Sequence, residues 1–155
     1  MLSLGAFTGT YADAGYGSLA LCSPSSASSY CAEVQSNFSI VDRVQGTSNP
    51  SGDLLAAWPL VMASHVRLRH QEGSIFGIYT TSLYPNGYGK DTTPFETGGV
   101  DMPAGFAEFM IEDGYVVGFG VSGLVGRVTE RARKYKSVRD RAEVWFDRVA
   151  GDGLV

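Results

Sequence analysis

The residues best equipped for chemistry are Glu108, the histidines His65 and His70, and the arginines Arg67 and Arg69 between them. Glu108 lies in Phe106-Ala107-Glu108-Phe109-Met110, so in a strand it sits opposite the apolar face of Ala107 and Phe109. Turned toward a cavity, the carboxyl would have a raised pKa and suit general acid work. Turned toward water, it is a rim carboxylate. In Ser64-His65-Val66-Arg67-Leu68-Arg69-His70, alternation puts Ser64, Val66, Leu68 and His70 on one face and His65, Arg67 and Arg69 on the other. The histidines therefore point apart. With no cysteines or carboxylate cluster beside them they form no zinc site, and no metal is expected. His70 reads first as a hydrogen-bonded core histidine and second as a catalytic base. The His65–Arg67–Arg69 strip reads as a surface paired with carboxylates; the sharper alternative is an anion or carboxylate site.

These side chains need strands to hold them. Ala104 to Val121 reads as two strands joined at Glu112-Asp113-Gly114, since Asp-Gly between apolar runs is a strong hairpin signal. Ala107, Phe109 and Ile111 share a face of the first arm, and Tyr115, Val117, Phe119 and Val121 a face of the second. Gly118 and Gly120 fall opposite, where glycine marks a bend or a close approach. Phe7–Tyr11 and Tyr16–Cys22 form an earlier hairpin, turning at Ala12-Asp13-Ala14-Gly15. Val34, Phe38 and Val41 in Cys31–Val44 are spaced for a short helix, although the segment also alternates weakly. Gly46–Asp53 is a loop. Leu54–Leu60 carries Trp58 and is interrupted by Pro59, which confines it to an edge or a strand end.

Met62–Gln71 is a strand. Glu72-Gly73 turns it into Ser74–Tyr84, which carries Tyr79. Pro85–Pro103 is a glycine-rich loop in which Tyr88 and Phe95, near Lys90, form either a mobile lid or a segment packed across one end. Beyond Gly123 the pattern predicts a helix or loop through Lys136 and a closing strand near Arg141–Val149. Six to eight strands on short turns predict an all-β fold with minor helix: a single-domain antiparallel barrel of about eight strands. A barrel of that size is either filled by side chains or holds one small ligand. If it is hollow, Trp58, Tyr79 and Phe119 join His65, Arg67, His70, Tyr88, Phe95 and Glu108 as candidate ligand-binding residues.

Composition narrows the partners. The net charge is −4, but eight of the twelve basic residues lie between Arg127 and Arg148. Residues 124–155 hold these eight with five of the sixteen acids and carry +3, leaving −7 on residues 1–123, which have four basic and eleven acidic residues. The tail is interleaved with Glu130, Asp140, Glu143 and Asp147, the mark of a salt-bridged face. An acidic body argues against nucleic acid. Gly87-Tyr88-Gly89-Lys90 lacks phosphate-loop spacing, so no nucleotide cofactor is expected. No apolar run reaches the roughly 20 residues of a membrane span, and no membrane partner is expected. Met1–Phe7 has no basic, apolar leader pattern, so the chain as written reads as cytoplasmic. Cys22 and Cys31 bracket a serine-rich loop and can be a disulfide or two thiols. The sequon Asn37-Phe38-Ser39 matters only in a secreted chain.

Six strings in order resemble a known pattern: Phe7-Thr8-Gly9-Thr10-Tyr11, Gly15-Tyr16-Gly17, Ser64 to His70, Tyr84 to Asp91, Pro94-Phe95-Glu96 and Ala142-Glu143-Val144-Trp145-Phe146. Together they look like the C-terminal domain of fungal serine hydrolases of the β-lactamase and penicillin-binding-protein type, a superfamily that includes the D-amino-acid peptidases. The resemblance runs from about Leu4 to Val149. It implies a lipocalin-like barrel that packs on a hydrolase domain or on a copy of itself, helping association or shaping access to an active site. Relatives of this kind are often secreted.

The catalytic motif of that family is missing. No serine is followed three residues later by lysine, and the nearest match, Ser64-His65-Val66-Arg67, ends in a side chain that cannot act as a base at neutral pH. Tyr84-Pro85-Asn86 is superficially similar to the family's Tyr-Xaa-Asn motif, but without the nucleophile it reads as a turn. The expected function is a non-catalytic accessory domain, with a small apolar ligand allowed. The alternative is a small-barrel isomerase or cyclase acting on a hydrophobic molecule through Glu108, His70 or a tyrosine.

Overall fold

The computed structural model describes residues 2–45, 52–60, 63–83, 102–123 and 137–150. Tyr88, Phe95, Lys90 and the segment 124–136 lie outside the described residues. A 3-10 turn, Leu4–Phe7, leads into β1 (Gly9–Asp13) and β2 (Gly17–Leu21), followed by α1 (Ser29–Gln45). Then come β3 (Asp53–Leu60), β4 (Ala63–Glu72), β5 (Ile75–Thr81), β6 (Gly105–Glu112) and β7 (Tyr115–Ser122). A single turn, α2 (Val138–Arg141), precedes β8 (Val144–Ala150). All eight strands form one antiparallel sheet in the order β2-β1-β8-β7-β6-β5-β4-β3. The two outer strands meet again at Cys22 and Leu55, whose backbones exchange hydrogen bonds of 2.8 Å in both directions. The sheet is therefore a nearly closed barrel, as strand alternation predicts.

Local chemistry accounts for most turns. The β6–β7 turn has Asp113 at φ 50° and Gly114 at φ 82°, the left-handed pair that Asp-Gly accepts. In the β1–β2 turn, Asp13 Oδ1 accepts the Gly15 and Tyr16 amides at 2.8 and 2.9 Å, an Asx-type turn. Gly118 and Gly120 make room on the outer face. A Cβ at Gly118 would run into the Trp145 ring, and one at Gly120 into Ala142.

The second arm of the β6–β7 hairpin departs from regular alternation. Met110 pairs with Gly118, but Ile111 pairs with Val116, leaving Val117 as an extra residue. This bulge reverses the parity below it. Val116 is buried where alternation predicts Val117, and Tyr115 is exposed rather than inward.

Most of the interior is packed. Phe7, Tyr11, Phe76, Phe109, Phe119 and Phe146 form a contiguous aromatic cluster, with Leu19, Leu21, Leu54, Val66 and Leu68 around it. One end is plugged by the 3-10 turn. Phe7 packs edge-on against Phe76 and Phe109 at 5.2 and 5.0 Å, and the Tyr11 hydroxyl donates to Phe7 O at 2.8 Å. Arg148 crosses that end and donates to Thr8 O at 2.6 Å and to Val116 O at 3.2 Å. Burial pushes the Tyr11 phenol up, with the Arg148 guanidinium pulling it the other way.

A second, smaller core lies outside the barrel. Helix α1 is longer than the expected short helix, beginning at Ser29, and it lays Val34 and Phe38 over Leu55 and Leu83. The cysteines are paired: Cys22–Cys31 ties the first turn of α1 to the end of β2. The bond closes a loop of nine residues' separation, which by chain entropy stabilises the fold by about 3 kcal/mol. Reduction should therefore lower the urea midpoint without changing the core amides that exchange slowest. A midpoint unmoved by dithiothreitol would refute this role.

Candidate functional site

Two apolar residues of β3 point into the barrel, Leu54 and Ala56, and the same parity carries Trp58 to the end opposite the 3-10 plug. There the interior is not filled. A cavity of about 220 Å³ is walled by Trp58, Tyr16, Phe146, Val144 and Val121, with Ile78, Thr80 and Ala104 completing it. Each strand contributes by alternation: Ile78 and Thr80 from β5, Val121 from β7, Val144 and Phe146 from β8. Tyr16 comes from the β1–β2 turn. Its ring lies 6.4 Å from both Trp58 and Phe146, and Trp58 meets Phe146 edge-on at 5.9 Å. The wall is aromatic on one side and aliphatic on the other. Apart from the Tyr16 phenol, no ionisable side chain among the described residues lines it.

Of the seven candidate ligand-binding residues that are described, Trp58 is the one found at this cavity, while Tyr88 and Phe95 lie outside the described residues. Phe119 is inside the barrel but belongs to the filled core, stacked on Phe146 at 4.9 Å with 14° between the planes. Glu108 points outward and pairs with Arg141, accepting Nε at 3.0 Å and Nη2 in a second, shorter contact. It is not turned to a cavity; it is an outward-facing carboxylate held in an ion pair. Tyr79 also faces outward, half-buried, with the Arg69 guanidinium 5.1 Å above its ring. Arg69 in turn reaches the buried Asp53 carboxylate at 3.3 Å.

The histidines exchange their expected environments. His70 is not a core residue: β4 runs past the plugged end, so His70 is exposed, edge-on to Phe76 at 5.2 Å with Nε2 3.0 Å from Gly73 O. His65 and Arg67 are not on a solvated strip. Helix α1 covers that face, leaving His65 at 0% and Arg67 at 6% exposure. Phe38 is the lid over both, edge-on to the His65 ring at 5.3 Å and beneath the Arg67 guanidinium at 4.4 Å. Ser64 Oγ accepts the Leu83 amide at 2.9 Å and sits 2.7 Å from His65 Nδ1, so its own proton is free to go to the ring nitrogen. Desolvation, reinforced by Arg67, holds the His65 pKa down at about 4 and the ring is neutral. This is a polar seam under a helix, closed to substrate.

Tyr16, Ile78, Thr80, Ala104, Val121, Val144 and Phe146 carry no chemical signature that singles them out in the sequence. What brings them together is that each reaches the same unfilled end of the barrel, which no single segment of the sequence specifies. Among the described residues no three His, Cys, Asp or Glu side chains gather to hold a metal ion, and no helix is long and apolar enough to cross a membrane. Comparison with family models, curated proteins and solved structures finds no match for this chain.

Proposed function

We propose that this barrel is a non-catalytic accessory domain, of the kind that packs on β-lactamase-like serine hydrolases, and that its open end holds a small apolar molecule. The observation that carries the reading is the character of the 220 Å³ cavity, with aromatic and aliphatic walls and no charged group among its described residues. Binding there rests on burial of apolar surface with little polar steering. An isomerase or cyclase needs a positioned acid or base beside its substrate. Glu108 lies on the outer face and His70 at the opposite end. A tyrosine, Tyr16, does reach the wall, but among the described residues it has no second acid or base beside it there, which supports a binder over a catalyst. The kinship with serine hydrolases rests on the six sequence strings.

The cavity fits one or two fused rings, since one of about 150 Å³ takes benzene. Naphthalene is the natural probe. At a concentration one hundred times its Kd it would add about 2.7 kcal/mol, raising Tm by roughly 5–10 °C for a chain of this size. Filling the cavity with Val121→Trp should abolish the shift while preserving a cooperative transition. An unchanged Tm with the wild-type chain, or an equal shift with the filled variant, rejects the binding reading. Turnover of an ester or amide through one of the chain's own serines would reject the non-catalytic one.

A further inference from the structure

The barrel closes at one pair of residues and then fails to close. Cys22 and Leu55 exchange two backbone hydrogen bonds, and the same antiparallel register would next set Ala20 against Ala57 and Ser18 against Pro59. Neither pair forms. Two features of β3 account for this. The Tyr30 hydroxyl, from the first turn of α1, takes both backbone groups of Ala57, accepting its N–H at 3.1 Å and donating to its C=O at 3.3 Å. Pro59 has no N–H to give. The next residue of α1, Cys31, carries the disulfide to Cys22. Tyr30 and Cys31 thus clasp the two edge strands from outside and satisfy one of them.

The other edge is left with its ladder groups. By the pleat, the N–H and C=O of Ala20 and Ser18 point the same way as those of Cys22, toward β3, and no backbone partner for them is found among the described residues. A groove of about 490 Å³ lies along them, between β2 and Tyr30 and Glu33 of α1, with Ala57 and Pro59 on its far side. Thr10 Oγ1 on its wall is buried without a hydrogen-bond partner.

We propose that this groove is a strand-addition site, in which an extended segment of a partner polypeptide pairs with the backbone of Ser18 and Ala20. The ligand class follows from the spacing. Donors and acceptors repeating every second residue along a strand edge are matched by another extended backbone, and pairing of this kind supplies affinity without a particular sequence. β3 cannot play that part, because Tyr30 and Pro59 have removed its complementary groups. The site is separate from the apolar cavity and stands or falls without it.

The test uses the full 155-residue chain and the capped peptide acetyl-Lys-Val-Thr-Val-Lys-amide, with a version N-methylated at alternate residues. Saturating peptide should slow hydrogen exchange of the Ser18 and Ala20 amides at least tenfold, and the N-methylated peptide should not. Ala20→Pro removes one edge N–H from a position where an edge strand accepts proline, and it should weaken binding at least tenfold. If that variant does not fold, the N-methylated peptide still decides. Exchange at Ser18 and Ala20 unaffected by the peptide, or equal effects from both peptides, overturns the proposal. So does protection of those amides that grows with protein concentration in the absence of peptide, which would make the occupant a second copy of this chain.

Discussion

Replacing Phe109 by alanine is expected to destabilise the domain by about 3–5 kcal/mol. Phe109 is 1% exposed and stands at the centre of the interior, with ring centroids at 5.0 Å to Phe7, 5.8 Å to Tyr11, 5.3 Å to Phe76 and 5.0 Å to Phe119. Deleting the ring removes its transfer free energy and four edge-on or tilted aromatic contacts, each worth roughly 0.5–1.5 kcal/mol beyond area. The neighbours come from the N-terminal turn and from β1, β5 and β7, so no single strand can collapse into the void. Against a typical stability of about 5–15 kcal/mol this is a large fraction, lowering Tm by about 10 °C or more. Urea denaturation of the variant beside Tyr115→Ala gives the comparison. Tyr115 is 74% exposed, and its loss should fall within about 0.5 kcal/mol of neutral. Equal costs at the two positions would mean that the barrel is not filled.

Acid should weaken the fold through His65. Its folded pKa, about 4, lies below the ordinary value of 6.5, so the unfolded chain takes up the proton first. The sign is fixed by that order: the stability is whole above about pH 6.5 and is lost as pH falls toward 4. The slope approaches about 1.4 kcal/mol per pH unit and the total is about 3 kcal/mol. The cause is geometric. Phe38 and α1 exclude water from the ring, and the Arg67 guanidinium beside it repels a second positive charge. Carboxylates elsewhere also titrate in this range, so the measurement is a difference. Wild type and His65→Gln are compared by urea midpoint from pH 7 to pH 4.5. The variant should be the less stable at pH 7, and the gap should narrow as the pH falls. Parallel curves would show that His65 keeps its ordinary pKa in the fold.

The sequence alone determined the parts whose physics is local. Alternation placed β2, β4 and β6, because a pleated strand with one buried face must repeat every two residues, and β-branched and aromatic content placed β5 and β8. Asp113-Gly114 placed a turn, because few residue pairs accept its backbone angles. The same patterns predicted a barrel of about eight strands, and the described residues form eight. Trp58 was legible as a candidate because a large aromatic at the end of an edge segment must pack somewhere.

Tertiary structure decided what alternation cannot: which of a strand's two faces meets water, and where along the barrel a residue falls. His65 and Arg67 are buried because α1, distant in sequence, covers their side, while His70 on the apolar side emerges past the plugged end. Val116 displaced Val117 because a bulge is fixed by the partner strand's register, which a single strand does not carry. The same holds for the pairing of Cys22 with Cys31 and for the gap beyond Leu55. Each depends on two segments arriving together, and the energy that selects them exists only once they have.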